Sequence, residues 1–150
     1  MRAVIQRCKK AKLFIDNKEF SSIGNGLVVY IGIATDDNIS DIEWMSGKIS
    51  RMRIFNDLEG KMNLSIKEVK GELLIVSQFT LFASTKKGNR PSYIKSATPE
   101  VAIPIYEKFI EQIKHDSGLK VATGKFGAFM EVEYINEGPV TIIIDSKNKE

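Results

Sequence analysis

The chain has 150 residues, of which 43% are apolar and 27% are charged, and its formal net charge at pH 7 is +3. This length is typical of one domain, and the composition is that of a soluble globular protein. The longest apolar runs, such as residues 27–33, are much shorter than the roughly 20 residues that a membrane-spanning helix needs. Residues 1–7 alternate like a strand and lack the apolar region of a signal peptide. The single cysteine, Cys8, excludes an internal disulfide, so the sequence predicts a reducing, cytoplasmic setting.

The first fifth of the chain reads as three strands. Residues 2–15 form the first strand, residues 16–17 are typical of a turn, and residues 18–23 form the second strand. A glycine-containing break at residues 24–26 leads into residues 27–31. That run is apolar at every position, which predicts a central strand buried on both faces.

A helix is predicted over residues 40–52. Ser40 is expected to cap it, Glu43 to complete a capping box, and Ile39 to pack against Trp44 as a hydrophobic staple. Apolar residues at helical spacing predict the face that packs on the sheet. These residues are Ile42, Met45, Ile49 and Met52.

The remaining predicted strands are short. Residues 53–64 indicate a hairpin with its turn at residues 59–60, and residues 73–76 form an apolar strand. Two further strands are predicted at residues 129–135 and 140–145.

A second helix is predicted over residues 99–116. Thr98 is its expected cap, Pro99 occupies the first helical position, and Gly118 ends it. Five residues at helical spacing predict its buried face: Ala102, Tyr106, Phe109, Ile110 and Ile113.

These elements predict an α+β domain in which two helices pack on a curved, mainly antiparallel sheet, because the strands do not alternate regularly with helices. No repeat, low-complexity segment or linker divides the chain. We therefore expect one domain over residues 1–150, with frayed residues at 146–150.

The reactive side chains exclude several kinds of chemistry. His115 is the only histidine and falls in the last turn of the second helix, where a cation interacts favourably with the helix end. One histidine and one cysteine make neither a zinc cluster nor a plausible catalytic triad. The sequence predicts no metal and no other cofactor. A hydrolase with this inventory has to rely on backbone N–H groups, hydroxyls and groups of the substrate.

Residues 77–81 place hydroxyl, amide and aromatic groups at the end of an apolar strand. Consecutive N–H groups at a sharp strand end can stabilise the charge that develops on a carbonyl oxygen. Two alternatives stay open. In the first, Thr80 is a nucleophile, which requires a neighbouring base. In the second, the hydroxyls of Ser77 and Thr80 only form hydrogen bonds to the backbone.

Residues 136–141 place Gly138 and Pro139 directly ahead of another apolar strand. A turn before a strand is the simplest interpretation. X-Pro bonds in folded proteins are cis in only about 5–6% of cases, so the sequence alone favours a trans bond here.

Taken together and in this order, the two segments resemble those of the D-aminoacyl-tRNA deacylases, and the resemblance extends from Met1 to Thr141. It implies a barrel-like sheet and a homodimer with active sites at the interface. It also implies a carboxylic ester hydrolase that cleaves the ester between a D-amino acid and the 3′ end of tRNA. The implied partners are aminoacylated tRNA and a second copy of the chain, with no cofactor and no membrane.

The resemblance implies a catalytic set consisting of Ser77, Gln78, Phe79 and Thr80. Within this set, the N–H groups of Phe79 and Thr80 are expected to stabilise the oxyanion. The ribose 2′-hydroxyl next to the ester is expected to help activate water, so that no histidine is needed.

The resemblance also implies a substrate-binding set, consisting of Gly138, Pro139, Arg7, Phe126 and Met130. The Gly138–Pro139 peptide is implied to be cis and to project into the active site of the partner subunit. Arg7 is implied to hold this segment, and Phe126 and Met130 are implied to hold the terminal adenosine. Without the resemblance, Arg7 reads as a solvated charge on a strand face, and Phe126 and Met130 read as core.

A rigid main-chain wedge explains how an L side chain would be rejected. A proofreading enzyme has to spare L-aminoacyl-tRNA by a factor of roughly 10³ or more, which is about 4 kcal/mol. Attraction to one D side chain would not serve a family that handles many side chains. Because glycine has no side chain to exclude, the wedge predicts glycyl-tRNA as a secondary substrate.

Two other functions stay open on the sequence alone. One is a module that binds tRNA or an amino acid without turnover. The other is a protein whose basic clusters, at residues 9–12 and 86–90, bind duplex nucleic acid in general.

Overall fold

The computed structural model describes residues 1–149, which form eight strands, two α-helices and one 3₁₀ turn. The strands are β1 (Arg2–Ile15), β2 (Lys18–Ile23), β3 (Gly26–Gly32), β4 (Arg53–Asn56), β5 (Met62–Ser65), β6 (Glu72–Ser77), β7 (Val121–Thr123) and β8 (Glu131–Asp145). The helices are α1 (Ile39–Arg51) and α2 (Pro99–Ser117), and the 3₁₀ turn is Phe79–Phe82.

Strand β1 organises a six-stranded mixed sheet. Its first half pairs with β3 and its second half with β2, while β8 pairs along its other edge, all in antiparallel fashion. Strands β3, β6 and β7 continue the sheet as parallel neighbours. The sheet is nearly closed into a barrel and carries two helices, so the predicted α+β fold is confirmed.

The two parallel pairs were not predicted. The chain passes from β3 to β6 through α1 and the β4–β5 hairpin, and from β6 to β7 through α2. Strand β7 has only three residues, too few for a periodic pattern to reveal. The sequence therefore missed the strand that makes the second parallel pair.

Strand β8 is continuous where two strands were predicted, and it carries a bulge. Asn136 pairs with Cys8, and Thr141 pairs with Gln6. Residues five positions apart in β8 thus face residues two positions apart in β1. The surplus residues leave the ladder and bend away from the sheet, as bulged residues do. Residues 137–140 form this bulge, which includes Gly138 and Pro139.

The helices cover one face of the sheet. The buried residues of α2 are Ala102, Tyr106, Phe109, Ile113 and Ser117, and Ile110 is half-buried. In α1, Ile42, Met45 and Ile49 are buried, and Met52 follows the helix as its half-buried C-cap. The predicted helix faces are confirmed. A smaller apolar cluster, which includes Cys8, Val28 and Val76, lies on the other face of the sheet.

The predicted cap of α1 was wrong by two residues. The N-cap is Asn38, whose side chain accepts a hydrogen bond from the Ser40 N–H at 2.9 Å. The Asp41 carboxylate accepts the Asn38 N–H at 2.9 Å and completes the capping box. Asparagine caps a helix as well as serine does, and here the earlier of the two residues caps the helix. Ile39 lies inside the helix and is 56% exposed, and it forms no staple across the cap.

Local turns follow the sequence closely. Asp16 and Asn17 both have positive φ values, 51° and 59°, which suits a tight hairpin between β1 and β2. The predicted hairpin at residues 53–64 is present as β4 and β5. Helix α2 ends at Gly118, which has a left-handed conformation with φ of 68°. Neither α1 nor α2 has the length and hydropathy that a membrane crossing needs.

The two ends of the chain meet in a buried polar cluster. The Met1 ammonium donates to Asp37 Oδ1 and to Ser146 Oγ, both at 2.6 Å. Ser146 is buried and Lys147 Nζ lies 2.8 Å from Asp41 Oδ2, so the predicted fraying is wrong for these two residues. Glu150 lies outside the described residues.

Candidate active site

A cavity of about 810 Å³ opens where β6 ends. Its wall combines residues 76–79, residues 96–99 and residues 126–130 with single residues of neighbouring elements, and every lining side chain is uncharged. Among the predicted catalytic residues, Ser77, Gln78 and Phe79 line it. The parallel packing of β3, β6 and β7 brings these distant segments together.

The chain turns sharply after Ser77. The Gln78 N–H still bonds to Ile31 O at 2.8 Å, and the 3₁₀ turn then begins at Phe79. The first N–H groups of a helical turn have no carbonyl partner in that turn. Within residues 1–149, the N–H groups of Phe79 and Thr80 have no hydrogen-bond acceptor. Two adjacent donors are therefore available to a ligand.

The side chain of Thr80 is occupied by its neighbour. Gln78 Nε2 donates to Thr80 Oγ1 at 2.6 Å, and Thr80 is not part of the cavity wall. A nucleophilic hydroxyl needs a base that accepts its proton, and an amide N–H is a donor. Within residues 1–149, no histidine, lysine or carboxylate is hydrogen-bonded to Thr80. His115 lies at the exposed end of α2, where its Nδ1 is 3.3 Å from Asp116 Oδ1.

Phe126 and Met130 are half-buried: each packs against one of the two core clusters, as the alternative interpretation expects, and each also lies in the cavity wall. The Phe126 ring packs against Tyr106, with centroids 5.8 Å apart. Tyr106 donates to Ile75 O at 3.0 Å, and burial raises the pKa of this phenol well above its usual range. Gly124 permits the close approach of Met130, because a Cβ at residue 124 would lie 2.4 Å from the Met130 sulfur.

Arg7 is buried, with 6% of its surface exposed, so the alternative of a solvated strand-face charge is wrong. Its Nη1 donates to Ile54 O at 2.7 Å and to Asn56 Oδ1 at 3.3 Å. Its Nε lies 3.3 Å from Glu137 Oε2, an ion pair without the alignment of a hydrogen bond. Arg7 thus connects β4 to the bulge of β8.

Gly138 and Pro139 are exposed, and the peptide bond between them is cis. Neither residue lines the cavity of its own chain. Arg7 is also absent from that wall, although its Nη2 would lie 3.2 Å from a Cβ at residue 138. The structure therefore groups Arg7, Gly138 and Pro139 at one site, and Ser77, Gln78, Phe79, Phe126 and Met130 at another.

Asn136 has a positioning role that the sequence reasoning missed. Its Nδ2 donates to Arg7 O at 3.0 Å and to Val140 O at 3.1 Å, so it ties both ends of the bulge to β1. The only signal was its place in the motif with Gly138 and Pro139.

Tyr93 was also missed as a cavity residue. It lines the cavity and meets Phe79 edge to face, with ring centroids 5.0 Å apart. The segment between Arg90 and Thr98 showed no strand or helix pattern, so nothing in the sequence placed it beside Phe79.

A second cavity of about 610 Å³ lies near Trp44 and Ile143, and Leu81 is the one residue of the strand-end segment 77–81 in its wall. The charged pair in its wall is satisfied, because Arg2 Nε lies 2.7 Å from Asp145 Oδ2. Phe79, in the wall of the first cavity, and the adjacent Thr80 carry free N–H groups, which makes this cavity the candidate active site.

The fold is that of a class of deacylases. The structure superposes with a TM-score of 0.84 on a protein described as a probable eukaryotic D-amino acid tRNA deacylase, over 95% of this chain and 97% of that chain. Its identity is 20%, which supports the shared fold alone. It also superposes on a protein described as c-Myc DNA Unwinding Element Binding Protein, with a TM-score of 0.91 and 38% identity, over 97% of this chain and 98% of that chain.

Sequence comparison identifies the family. The family model D-Tyr-tRNA(Tyr) deacylase matches residues 4–145. Proteins named D-aminoacyl-tRNA deacylase from Flavobacterium psychrophilum and Cytophaga hutchinsonii are 56% and 59% identical, with full coverage of both chains. The chain belongs to the D-Tyr-tRNA(Tyr) deacylase family, which consists of hydrolases, and the resemblance read from the two motifs is confirmed.

Proposed function

We propose that this protein hydrolyses the ester between a D-amino acid and the 3′-terminal ribose of tRNA. The family match over residues 4–145 carries the proposal. The uncharged cavity suits a nucleoside and an amino acid with many possible side chains, and the cytoplasmic setting stays a prediction.

The free N–H groups of Phe79 and Thr80 support a main-chain oxyanion hole. Charge develops on the ester carbonyl oxygen as water attacks, and two fixed donors stabilise it. Removal of one such donor typically costs about 3–4 kcal/mol of transition-state stabilisation. The ribose 2′-hydroxyl next to the ester assists the attacking water, since the cavity wall holds no histidine, lysine, arginine or carboxylate.

Substitution of Thr80 separates this mechanism from a nucleophilic one. Thr80→Val and Thr80→Ala remove the hydroxyl and keep the N–H group. We expect kcat for D-tyrosyl-tRNA to stay within about 10-fold of wild type, because both variants keep the N–H group that stabilises the oxyanion. Loss of a nucleophile lowers kcat far more. A fall of 10⁴-fold or more would establish Thr80 as the attacking group.

The Gly138–Pro139 segment acts as the chirality filter of a homodimer. It bulges from β8, is exposed, and is held by Arg7 and Asn136, yet it stays outside its own cavity. Inserted into the partner's cavity, its main chain leaves no space for an L side chain. Steric exclusion by rigid main chain rejects one enantiomer without selecting any D side chain.

Matched rate measurements test both the activity and the filter. We expect release of D-tyrosine from D-tyrosyl-tRNA, and we expect L-tyrosyl-tRNA to be hydrolysed more slowly by a factor of about 10³ or more. We also expect glycyl-tRNA to be hydrolysed. Equal rates for both enantiomers, or inert glycyl-tRNA, contradict the filter, and tRNA binding without any hydrolysis would instead establish a binding module.

Phe126 and Met130 are suited to hold the terminal adenosine in the cavity. A base stacked on an aromatic ring contributes about 1–3 kcal/mol to binding. Phe126→Leu is therefore expected to raise KM more than it lowers kcat.

General nucleic-acid binding is a second candidate, favoured by the similarity to the c-Myc DNA Unwinding Element Binding Protein. It predicts steeply salt-dependent binding of duplex DNA that is indifferent to a 3′-aminoacyl end. Competition between duplex DNA and aminoacylated tRNA for this protein decides between the two.

A further inference from the structure

Two segments that contribute to the cavity wall contain cations and no carboxylate. Residues 73–99 contain neither Asp nor Glu, and the same holds for residues 117–130. The cations of the first segment are Lys86, Lys87, Arg90 and Lys95. These four charges exceed the net charge of +3 of the whole chain, so positive charge is concentrated beside the cavity.

The four cations are not used to stabilise the fold. All are exposed, and within residues 1–149 none has a hydrogen-bond or ion-pair partner. Some lysines elsewhere are paired: Lys12 Nζ lies 2.8 Å from Glu19, and Lys147 Nζ lies 2.8 Å from Asp41. The unpaired cations near the cavity are free to bind an anion.

The segment that bears these cations is anchored to the cavity wall. Ser84 and Ser92 exchange two backbone hydrogen bonds, of 2.8 and 3.0 Å, and close a loop over residues 85–91. Tyr93, directly after this closure, packs on Phe79 and lines the cavity. The basic loop, residues 85–91, therefore lies next to the cavity wall.

We propose that the basic loop binds phosphates of the single-stranded 3′ end of tRNA just outside the cavity. This inference rests on the proposed function. The wall is uncharged and suits the terminal nucleoside with its amino acid, so the preceding phosphates have to lie outside it. At about 3.3 Å per residue, a loop of this size reaches about 10 Å from its base, enough to meet two or three consecutive phosphates.

The triple variant Lys86→Gln/Lys87→Gln/Arg90→Gln tests the proposal with three substrates. These are D-tyrosyl-tRNA, the D-tyrosyl ester of the trinucleotide CCA, and the D-tyrosyl ester of adenosine, which lacks phosphate. For the first two we expect KM to rise about 10-fold or more, with kcat within about 2-fold. For D-tyrosyl-tRNA, the slope of log(kcat/KM) against log[salt] should weaken by about 2, at about 0.7 for each lost phosphate contact. Hydrolysis of the adenosine ester should not change.

A matched control removes three exposed, unpaired lysines outside the two segments, as Lys70→Gln/Lys108→Gln/Lys114→Gln. It should change KM for D-tyrosyl-tRNA by less than about 2-fold. Equal effects of both triple variants would overturn the proposal, because net charge alone would then explain them. An effect on D-tyrosyl-tRNA with none on the CCA ester would also overturn it, since the phosphates would then lie in the stem.

Binding of uncharged tRNA separates this inference from the proposed function. The basic-loop variant should bind uncharged tRNA about 10-fold more weakly than wild type, whether or not the protein hydrolyses any ester. If wild type hydrolyses none of the three esters, the proposed function is overturned. The binding measurement with uncharged tRNA still tests the basic loop in that case.

Discussion

Several side chains at the site hold backbone groups in place. Arg7 fixes the carbonyl of Ile54, and Asn136 bridges the carbonyls of Arg7 and Val140. The two free donors at the cavity are themselves backbone N–H groups. Side chains therefore position the main chain here, and the main chain meets the ligand.

The burial of Arg7 had a signal in the sequence. Ala3 and Ile5 face the core, and strand alternation places residue 7 on the same side. Its partners could not be predicted, because Ile54 and Glu137 are 47 and 130 positions away along the chain. Only the packing of β4 and β8 against β1 brings them to Arg7.

Arg7→Ala is expected to lower the free energy of unfolding by about 3 kcal/mol, because it leaves Ile54 O without its donor and removes the ion pair with Glu137. It should also raise the relative rate on L-tyrosyl-tRNA, since the bulge of β8 loses its support. Urea denaturation and matched rate measurements check both effects.

Lys12→Ala serves as the control for Arg7→Ala. Lys12 pairs with Glu19 at 2.8 Å on the surface, and such exposed pairs contribute little to stability because solvent screens them. A loss of stability as large as that of Arg7→Ala would show that burial is not the cause.

At the scale of elements, the close contact between β3 and β6 depends on one glycine. A Cβ at Gly26 would lie 1.8 Å from the carbonyl oxygen of Glu72, the residue paired with it in the parallel ladder. The sequence marked residues 24–26 as a break before a strand. It did not show that Gly26 permits the pairing of β3 with β6, whereas a Cβ at Gly24 would meet nothing within 4 Å.

Gly26→Ala is expected to destabilise the protein by about 3 kcal/mol, because the backbone of β3 or β6 has to move. Gly24→Ala, two residues earlier, should change stability by less than about 1 kcal/mol, since a Cβ there meets nothing within 4 Å. Thermal unfolding of both variants measures the difference. Equal melting temperatures would contradict the close approach of β3 and β6.

At the scale of the whole molecule, a buried polar cluster ties both chain ends to the start of α1. Burial opposes ionisation of Asp41, but hydrogen bonds from Lys147, Ser146 and the Asn38 N–H outweigh it and lower the pKa of this carboxyl to about 2. The ordinary pKa of Asp is about 3.9. Because the folded-state pKa is depressed, this stabilisation is complete above about pH 4 and is lost as the pH falls towards 2.

Asp41→Asn is expected to reduce the free energy of unfolding by about 2 kcal/mol at neutral pH, and the difference from wild type should vanish near pH 2. Denaturation at a series of pH values measures this convergence. Asp36→Asn removes an exposed neighbouring carboxylate that makes no side-chain hydrogen bond, and it is the control. A constant gap across the acid range would contradict the cluster's pH dependence.

The proposed dimer requires a surface on which a second copy packs. Ile143 is 73% exposed on the strand that carries the Gly138–Pro139 bulge. Its partner in the β1–β8 ladder is Val4, on the same face of the sheet. Ile143 is the more exposed of two such apolar residues on β8, the other being Ile135, and we infer that this strand packs against the second copy.

Ile143→Asp is expected to give monomers in sedimentation velocity where wild type gives dimers, because a buried, unpaired carboxylate opposes association. Leu58→Asp adds the same charge at the fully exposed tip of the β4–β5 hairpin and should leave the dimer intact. A monomeric wild type would exclude a filter in which the Gly138–Pro139 segment of one subunit enters the cavity of its partner.

The sequence by itself determined the helices, most strands, the tight turns and the two motifs that identify the family, because each depends on residues within a few positions of one another. Tertiary structure alone decided the parallel pairing of β6 with β3 and β7, the bulge in β8, the burial of Arg7 and the place of Tyr93 beside Phe79. Those features depend on contacts between residues far apart along the chain, and the register of such contacts is set by packing of the whole molecule.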